Sequence, residues 1–123
     1  MSNPRGAIAV VDDDVRLLES LENLFESAGY KVRVFSSAAA LLDSGLSDLD
    51  CLITDIGMPS MDGFQLRDAV EKVRPNLPVF LVTGRHEIAD QQRVTGAKIA
   101  GLFYKPFDGQ ALLAAVEQAL IGN

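Results

Sequence analysis

A chain of 123 residues, 48% hydrophobic and 23% charged, carries enough apolar material for one buried core and is too apolar to be mainly a disordered tail. Seventeen acidic against eleven basic residues leave a net charge of -6, which argues against a nucleic-acid backbone or an anionic membrane as a direct partner. The sequence has no apolar stretch of about 18 residues for a membrane span and no basic, apolar, small-residue signal at its start, so residues 1–123 are expected to form one cytoplasmic domain.

The first element is an apolar run that ends in acid, Ala9-Val10-Val11 followed by Asp12-Asp13-Asp14. Helical spacing follows over Leu17, Leu18, Leu21, Leu24, Phe25 and Ala28, closed by Gly29, with Asp13 or Asp14 as the cap. Lys31 to Phe35 alternates charged and apolar residues, which predicts a half-exposed strand at a sheet edge, and Ser36 or Ser37 caps a helix over Ala38 to Leu42. Cys51-Leu52-Ile53-Thr54-Asp55 is a second apolar strand that ends on a carboxylate; its cysteine has no partner for an internal disulfide and reads as a small core hydrophobe.

Pro59 to Gly63 is a loop, after which Asp62 opens a helix with Phe64, Leu66, Ala69, Val70 and Val73 on its apolar side, ended before Pro75 and Pro78. Val79-Phe80-Leu81-Val82 ends on Thr83-Gly84. His86 to Gly96 offers only Ile88, Ala89 and Val94 for burial, so its helix should be the shortest or loosest. Gly101-Leu102-Phe103-Tyr104 ends on Lys105-Pro106, and the last helix, Gly109 to Ile121, buries Leu112, Leu113, Val116 and Leu120 between Asp108 as N-cap and Gly122 as stop.

Five strands alternating with five helices predict an α/β fold with a parallel sheet and right-handed crossovers. In such a fold the residues just past the strands line the ligand crevice, and here those residues are acid, acid, hydroxyl and ammonium in turn. Asp12, Asp13 and Asp55 gathered there repel one another, and a divalent cation with oxygen ligands, Mg²⁺ above all, is the simplest compensation. With Lys105 and Thr83 facing it, the site is equipped to take up a phosphoryl group. Asp55 is the natural nucleophile, Asp12 and Asp13 the metal pair, Lys105 the counter-charge and Thr83 a hydrogen-bond donor. Asp14 is expected to be a cap or a solvent-facing acid.

At these residues the chain resembles the receiver domain of two-component response regulators over nearly its full length. The resemblance rests on Val10-Val11-Asp12-Asp13, on Asp55-Ile56-Gly57-Met58-Pro59-Ser60-Met61-Asp62-Gly63, on Val82-Thr83-Gly84 and on Lys105-Pro106-Phe107. It implies a flavodoxin-like (βα)5 doubly wound sandwich with strand order 2-1-3-4-5. It also implies Asp55 as phosphoacceptor, the Gly57 carbonyl as a third protein ligand to Mg²⁺ beside Asp12 and Asp13, Thr83 as the phosphate-sensing switch and Lys105 as the phosphate counter-ion. The implied partner is a phosphohistidine on a sensor histidine kinase or phosphotransfer protein. The output would be a homodimer or an output domain engaged through the face of the fourth helix, fifth strand and fifth helix. Such a domain is a signalling switch that catalyses only its own phosphorylation and dephosphorylation.

Two positions depart from the family pattern: Leu102 stands where the family usually has a rotating aromatic ring, and Lys98-Ile99 where it commonly has Gly-Ala. Output is therefore expected to run through the Thr83 to Gly101 segment. The Lys105-Pro106 bond is expected to be cis, aiming the lysine into the site.

Three other readings compete. Asp12-Asp13-Asp14-Val15 also satisfies the strand-end Asp-x-Asp pattern of a haloacid-dehalogenase-like phosphatase, with Asp12 as nucleophile and Asp14 as acid/base, but this leaves the Asp55 to Gly63 loop unexplained. A non-phosphorylatable module of the same fold typically lacks part of the acidic set, which is whole here. A nucleotide-binding flavodoxin-like protein would need a Gly-rich phosphate cradle after the first strand, where this chain has three acids.

Overall fold

Branched and apolar side chains dominate the strand runs because a parallel sheet covered by helices buries both of its faces. A computed structural model describes residues 5–84, 92–94 and 98–121 of the chain. Among them, β1 Ala7–Val11, β2 Lys31–Phe35, β3 Cys51–Asp55, β4 Val79–Thr83 and β5 Gly101–Tyr104 form one parallel sheet. The strand order is β2-β1-β3-β4-β5, as expected for a flavodoxin-like fold. The helices are α1 Val15–Ser27, α2 Ala38–Ser44, α3 Gly63–Val73, a helical stretch α4 at 92–94, and α5 Gly109–Ile121. The expected helix from His86 to Gly96 lies within the described residues only at 92–94, and Gly122 lies outside them.

Alternation along the strands sorts the core into two layers. Ala7, Ala9 and Val11 of β1 pack with Leu41 of α2 and with Phe64, Leu66 and Val70 of α3. Ile8 and Val10, the residues between, pack with Leu18, Leu21 and Phe25 of α1 and with Leu112 and Val116 of α5. Leu113 and Leu120 of α5 are only partly buried against this second layer. Cys51 belongs to it as well, wholly buried, with its thiol pushed up to about 12 by that burial.

Two expectations need correction. Val73 lies on the solvent side at 66% exposure, while Leu77 beyond the helix is buried and the Arg74 guanidinium donates to the carbonyls of Leu46 and Leu49. The run Gly101 to Tyr104 forms a strand as expected, but it is not buried on both faces as a central strand of such a sheet would be. The strand order puts β5 at an edge, and its residues are half-buried or exposed. β2, at the other edge, has the expected half-exposed pattern.

A carboxylate cluster at the strand ends

The sheet register brings the ends of β1, β3, β4 and β5 together, and the candidate residues Asp12 and Asp13, Asp55, Thr83 and Lys105 lie at those four ends in turn. Asp12 follows β1 and is completely buried; its Oδ1 accepts from the Asp14 amide at 2.8 Å and its Oδ2 from Lys105 Nζ at 2.8 Å. Asp55 ends β3 at 6% exposure, with Oδ1 3.4 Å from the same ammonium. Asp13 is exposed, yet it offers a carboxylate oxygen within 4.8 Å of ligand atoms on both Asp12 and Asp55. Asp14 is a cap, as one of its expected roles had it: its Oδ1 accepts from the Arg16 amide at 3.0 Å.

The electrostatics follow from this packing. Burial pushes the Asp12 carboxyl above its ordinary range, and the Lys105 hydrogen bond and Asp14 amide offset this only in part, while the charge of Asp55 adds to the rise. Burial is also the largest single influence on Lys105 and pulls its ammonium down, but Asp12 and Asp55 together carry it above the usual lysine value. One ammonium against three carboxylates leaves the cluster short of positive charge. The donor set is hard oxygen, which fits a small divalent cation.

The chain after Asp55 is held in one conformation by main-chain bonds: Ile56 N–H donates to Val82 O at 3.0 Å and Gly63 N–H to Ile56 O at 3.0 Å. Ser60 accepts a positive φ of 69° within this turn. Gly57, two residues past Asp55, is exposed, and Asp62 caps α3 in a reciprocal box with Gln65. Gly63 has no room for a Cβ, which would press on the Asp55 carbonyl and lie 2.9 Å from Ile56 Cα.

Thr83 ends β4, buried to 1%, and has the strand parity of Val79 and Leu81, so it faces the α3 layer in which Leu102 also packs. Its carbonyl accepts from the Lys105 amide at 2.7 Å. The Lys105-Pro106 peptide is cis, as expected. Nothing in the sequence pattern marks Arg93, whose guanidinium reaches Asp62 from 31 residues away at 3.0 Å. Only a reading of charge pairs across elements would have found it.

Comparison with known proteins agrees with this architecture. The family model for the response regulator receiver domain matches residues 8–117. Response regulator protein TmoT of Ectopseudomonas mendocina is 35% identical over 121 residues, covering 98% of this chain and 55% of that protein. Transcriptional regulatory protein FixJ of Bradyrhizobium diazoefficiens is 32% identical over 118 residues, covering 94% of this chain and 57% of that one. The chain thus spans about half the length of these curated relatives. Among solved structures, a CheY-like response regulator receiver domain protein from Methanospirillum hungatei JF-1 matches with a TM-score of 0.88 at 26% identity, covering 95% of this chain and 94% of that one. The phosphatase reading with Asp12 as nucleophile is set aside by these matches, and Asp14 is engaged in capping α1. A match that runs from the first strand into the last helix, on a sheet of the same order, assigns the chain to the family of response regulator receiver domains, the signalling switches of two-component systems.

Proposed function

We propose that residues 1–123 act as a single phosphoacceptor domain in which Asp55 takes a phosphoryl group from a phosphohistidine on a sensor histidine kinase or phosphotransfer protein. An Asp55 carboxylate oxygen forms the new P–O bond as the P–N bond to the donor imidazole breaks, and the freed imidazole nitrogen keeps the electron pair. Asp12, Asp13, Asp55 and the Gly57 carbonyl would hold Mg²⁺, which when bound neutralises negative charge on the phosphoryl oxygens. Lys105 supplies a second positive charge there, and the Thr83 hydroxyl a hydrogen bond. Chemistry is then limited to the domain's own phosphorylation and dephosphorylation.

The observation that carries this reading is the position of Lys105 Nζ, 2.8 Å from Asp12 and 3.4 Å from Asp55 in a crevice whose acids also meet the needs of a cation. Incubation with acetyl phosphate and Mg²⁺, followed by intact-mass analysis, tests it. One added phosphate is expected on the native chain and none on Asp55→Asn; a phosphate that persists in the variant would remove Asp55 from the role.

The relatives' names, a response regulator and a transcriptional regulatory protein, support a switch that acts on an output domain, and we place it in the cytoplasm, acting on such a domain or through a homodimer; its net charge of -6 argues against its own contact with nucleic acid. No helix among the described residues is long and apolar enough to cross a membrane. We place the output on the face of α4, β5 and α5. With Leu102 in place of a ring, the change is carried by the 83–101 segment. Hydrogen exchange with and without beryllofluoride tests this: protection is expected to change across 83–101, and changes confined to other regions would overturn it.

A further inference from the structure

Arg93 grips the loop that follows Asp55 from the α4 side. Its Nη1 donates to Asp62 Oδ2 at 3.0 Å, its Nη2 to Asp62 Oδ1 at 3.3 Å, and its Cζ lies 4.1 Å from the Phe64 ring centroid. A planar guanidinium held by both oxygens of a carboxylate and by an aromatic face has one geometry, which a flexible ammonium would not. Asp62 is itself fixed, because it caps α3 in the box with Gln65. Gly63 beside it lies against the Asp55 carbonyl with no space for even a methyl group. Between the main chain of Asp55 and the partner of Arg93 there is thus little slack. Farther along, Arg67 Nε donates to Lys98 O at 2.7 Å and Lys98 Nζ to Pro75 O at 3.1 Å, while Val94 and Ile99 pack on the layer that contains Phe64. Residues 92–94 and 98–99 are therefore tied to α3 and its flanks at two separate points.

We propose that the Arg93–Asp62 pair is a latch that holds α4 against the loop after Asp55 and is released when a phosphoryl group enters the site. The proposal rests on the phosphoacceptor reading. A group added at Asp55 brings charge and volume to the inner side of the 56–63 loop and competes for Lys105, now committed to Asp12. With Gly63 already in contact, the loop responds as a unit and carries Asp62 out of the narrow bidentate geometry. Packed contacts of this kind switch between arrangements and do not stretch continuously. By linkage, a ligand that opens the latch is weakened by it, so a chain without the latch binds that ligand more tightly.

Beryllofluoride with Mg²⁺ is the probe, titrated into the native chain, Arg93→Met, Asp62→Asn and the double variant; asparagine preserves the helix cap through its one oxygen, while the charge and the second acceptor for Arg93 are lost. The half-saturating concentration is expected to fall by roughly three- to tenfold in each single variant, the size of a half-exposed bidentate pair with a cation–π contact, and no further in the double variant. Amide exchange at 92–94 and 98–99 should be slow in the native chain, faster with the probe, and fast in Arg93→Met under both conditions. Faster exchange with an unchanged half-saturation in both single variants marks a merely structural pair and overturns the latch. A native chain that fails to bind beryllofluoride at all overturns the phosphoacceptor reading and the latch with it, an outcome visible before any variant is compared.

Discussion

A methyl group on the Cα of Gly63 would collide with the main-chain carbonyl of Asp55, so the first residue of α3 and the last residue of β3 are in contact through backbone alone. Backbone on both sides cannot swing away as a long side chain can. Gly63→Ala is therefore expected to cost about 1–3 kcal/mol, the usual range for overpacking. Gly84→Ala, where a Cβ would meet nothing within 4 Å, should change stability by less than about 0.5 kcal/mol. Urea denaturation of the two variants measures the difference.

Lys105→Met leaves the Asp12 carboxylate buried without its cation. The loss of that partner is expected to destabilise the fold by about 1–3 kcal/mol at neutral pH, seen as a lower urea midpoint. Acetyl phosphate should modify Asp55 on the order of a hundredfold more slowly in the same variant, as for other losses of a preorganised charge partner. A time course by intact mass reads that second effect separately from the first.

Mg²⁺ is expected to raise the thermal midpoint of the native chain, because a cluster that binds the ion only when folded is stabilised by mass action, by about 2.7 kcal/mol at a hundred times the dissociation constant. Asp13→Asn should lose most of this response. Asp13 is exposed, so the substitution removes a candidate ligand without disturbing the core. Melting curves with and without the ion test both statements.

The Asp62 carboxyl lies below its ordinary range: burial opposes this, but the Arg93 hydrogen bond and the Gln65 and Phe64 amides outweigh it. A group whose folded value is depressed contributes stability that is complete above the unfolded value and is lost as pH falls through the folded one. The stability gap between the native chain and Asp62→Asn should therefore hold steady from about pH 7 to about pH 5 and close below 3.8, the ordinary value of the group. Urea midpoints across that pH range measure it.

Much of this site can be read from the chain because its residues terminate hydrophobic runs. Asp12, Asp55, Thr83 and Lys105 each follow an apolar strand, and parallel strands in register carry their last residues to one edge. Asp62 is legible as a cap, and the first two caps are legible to within a neighbour, as Asp13 or Asp14 and Ser36 or Ser37, because capping is a short-range bond between a side chain and an amide two or three residues on; the structure selects Asp14 and Ser37. The half-burial of β5 was not, since edge or centre is decided by which strands flank a run and not by its own composition. Val73 fits the apolar stripe of α3 and still faces solvent, and at that end it is Leu77, beyond the helix, that is buried. The bond from Arg93 to Asp62 leaves no periodic trace, as ion pairs between distant elements do not.

Cys51 gives the fold a built-in clock. A thiol held at about 12 and sealed at the centre of the sheet does not react with thiol reagents while the sheet is intact. It lies on β3, between β1 and β4, and packs in the layer of Leu18, Phe25, Leu112 and Val116, so access requires that layer to open and not mere fraying of an edge strand. The labelling rate of this single cysteine then reports the population of molecules in which that layer has opened. Probes attached to cysteines introduced on the surface can be used with Cys51 left in place.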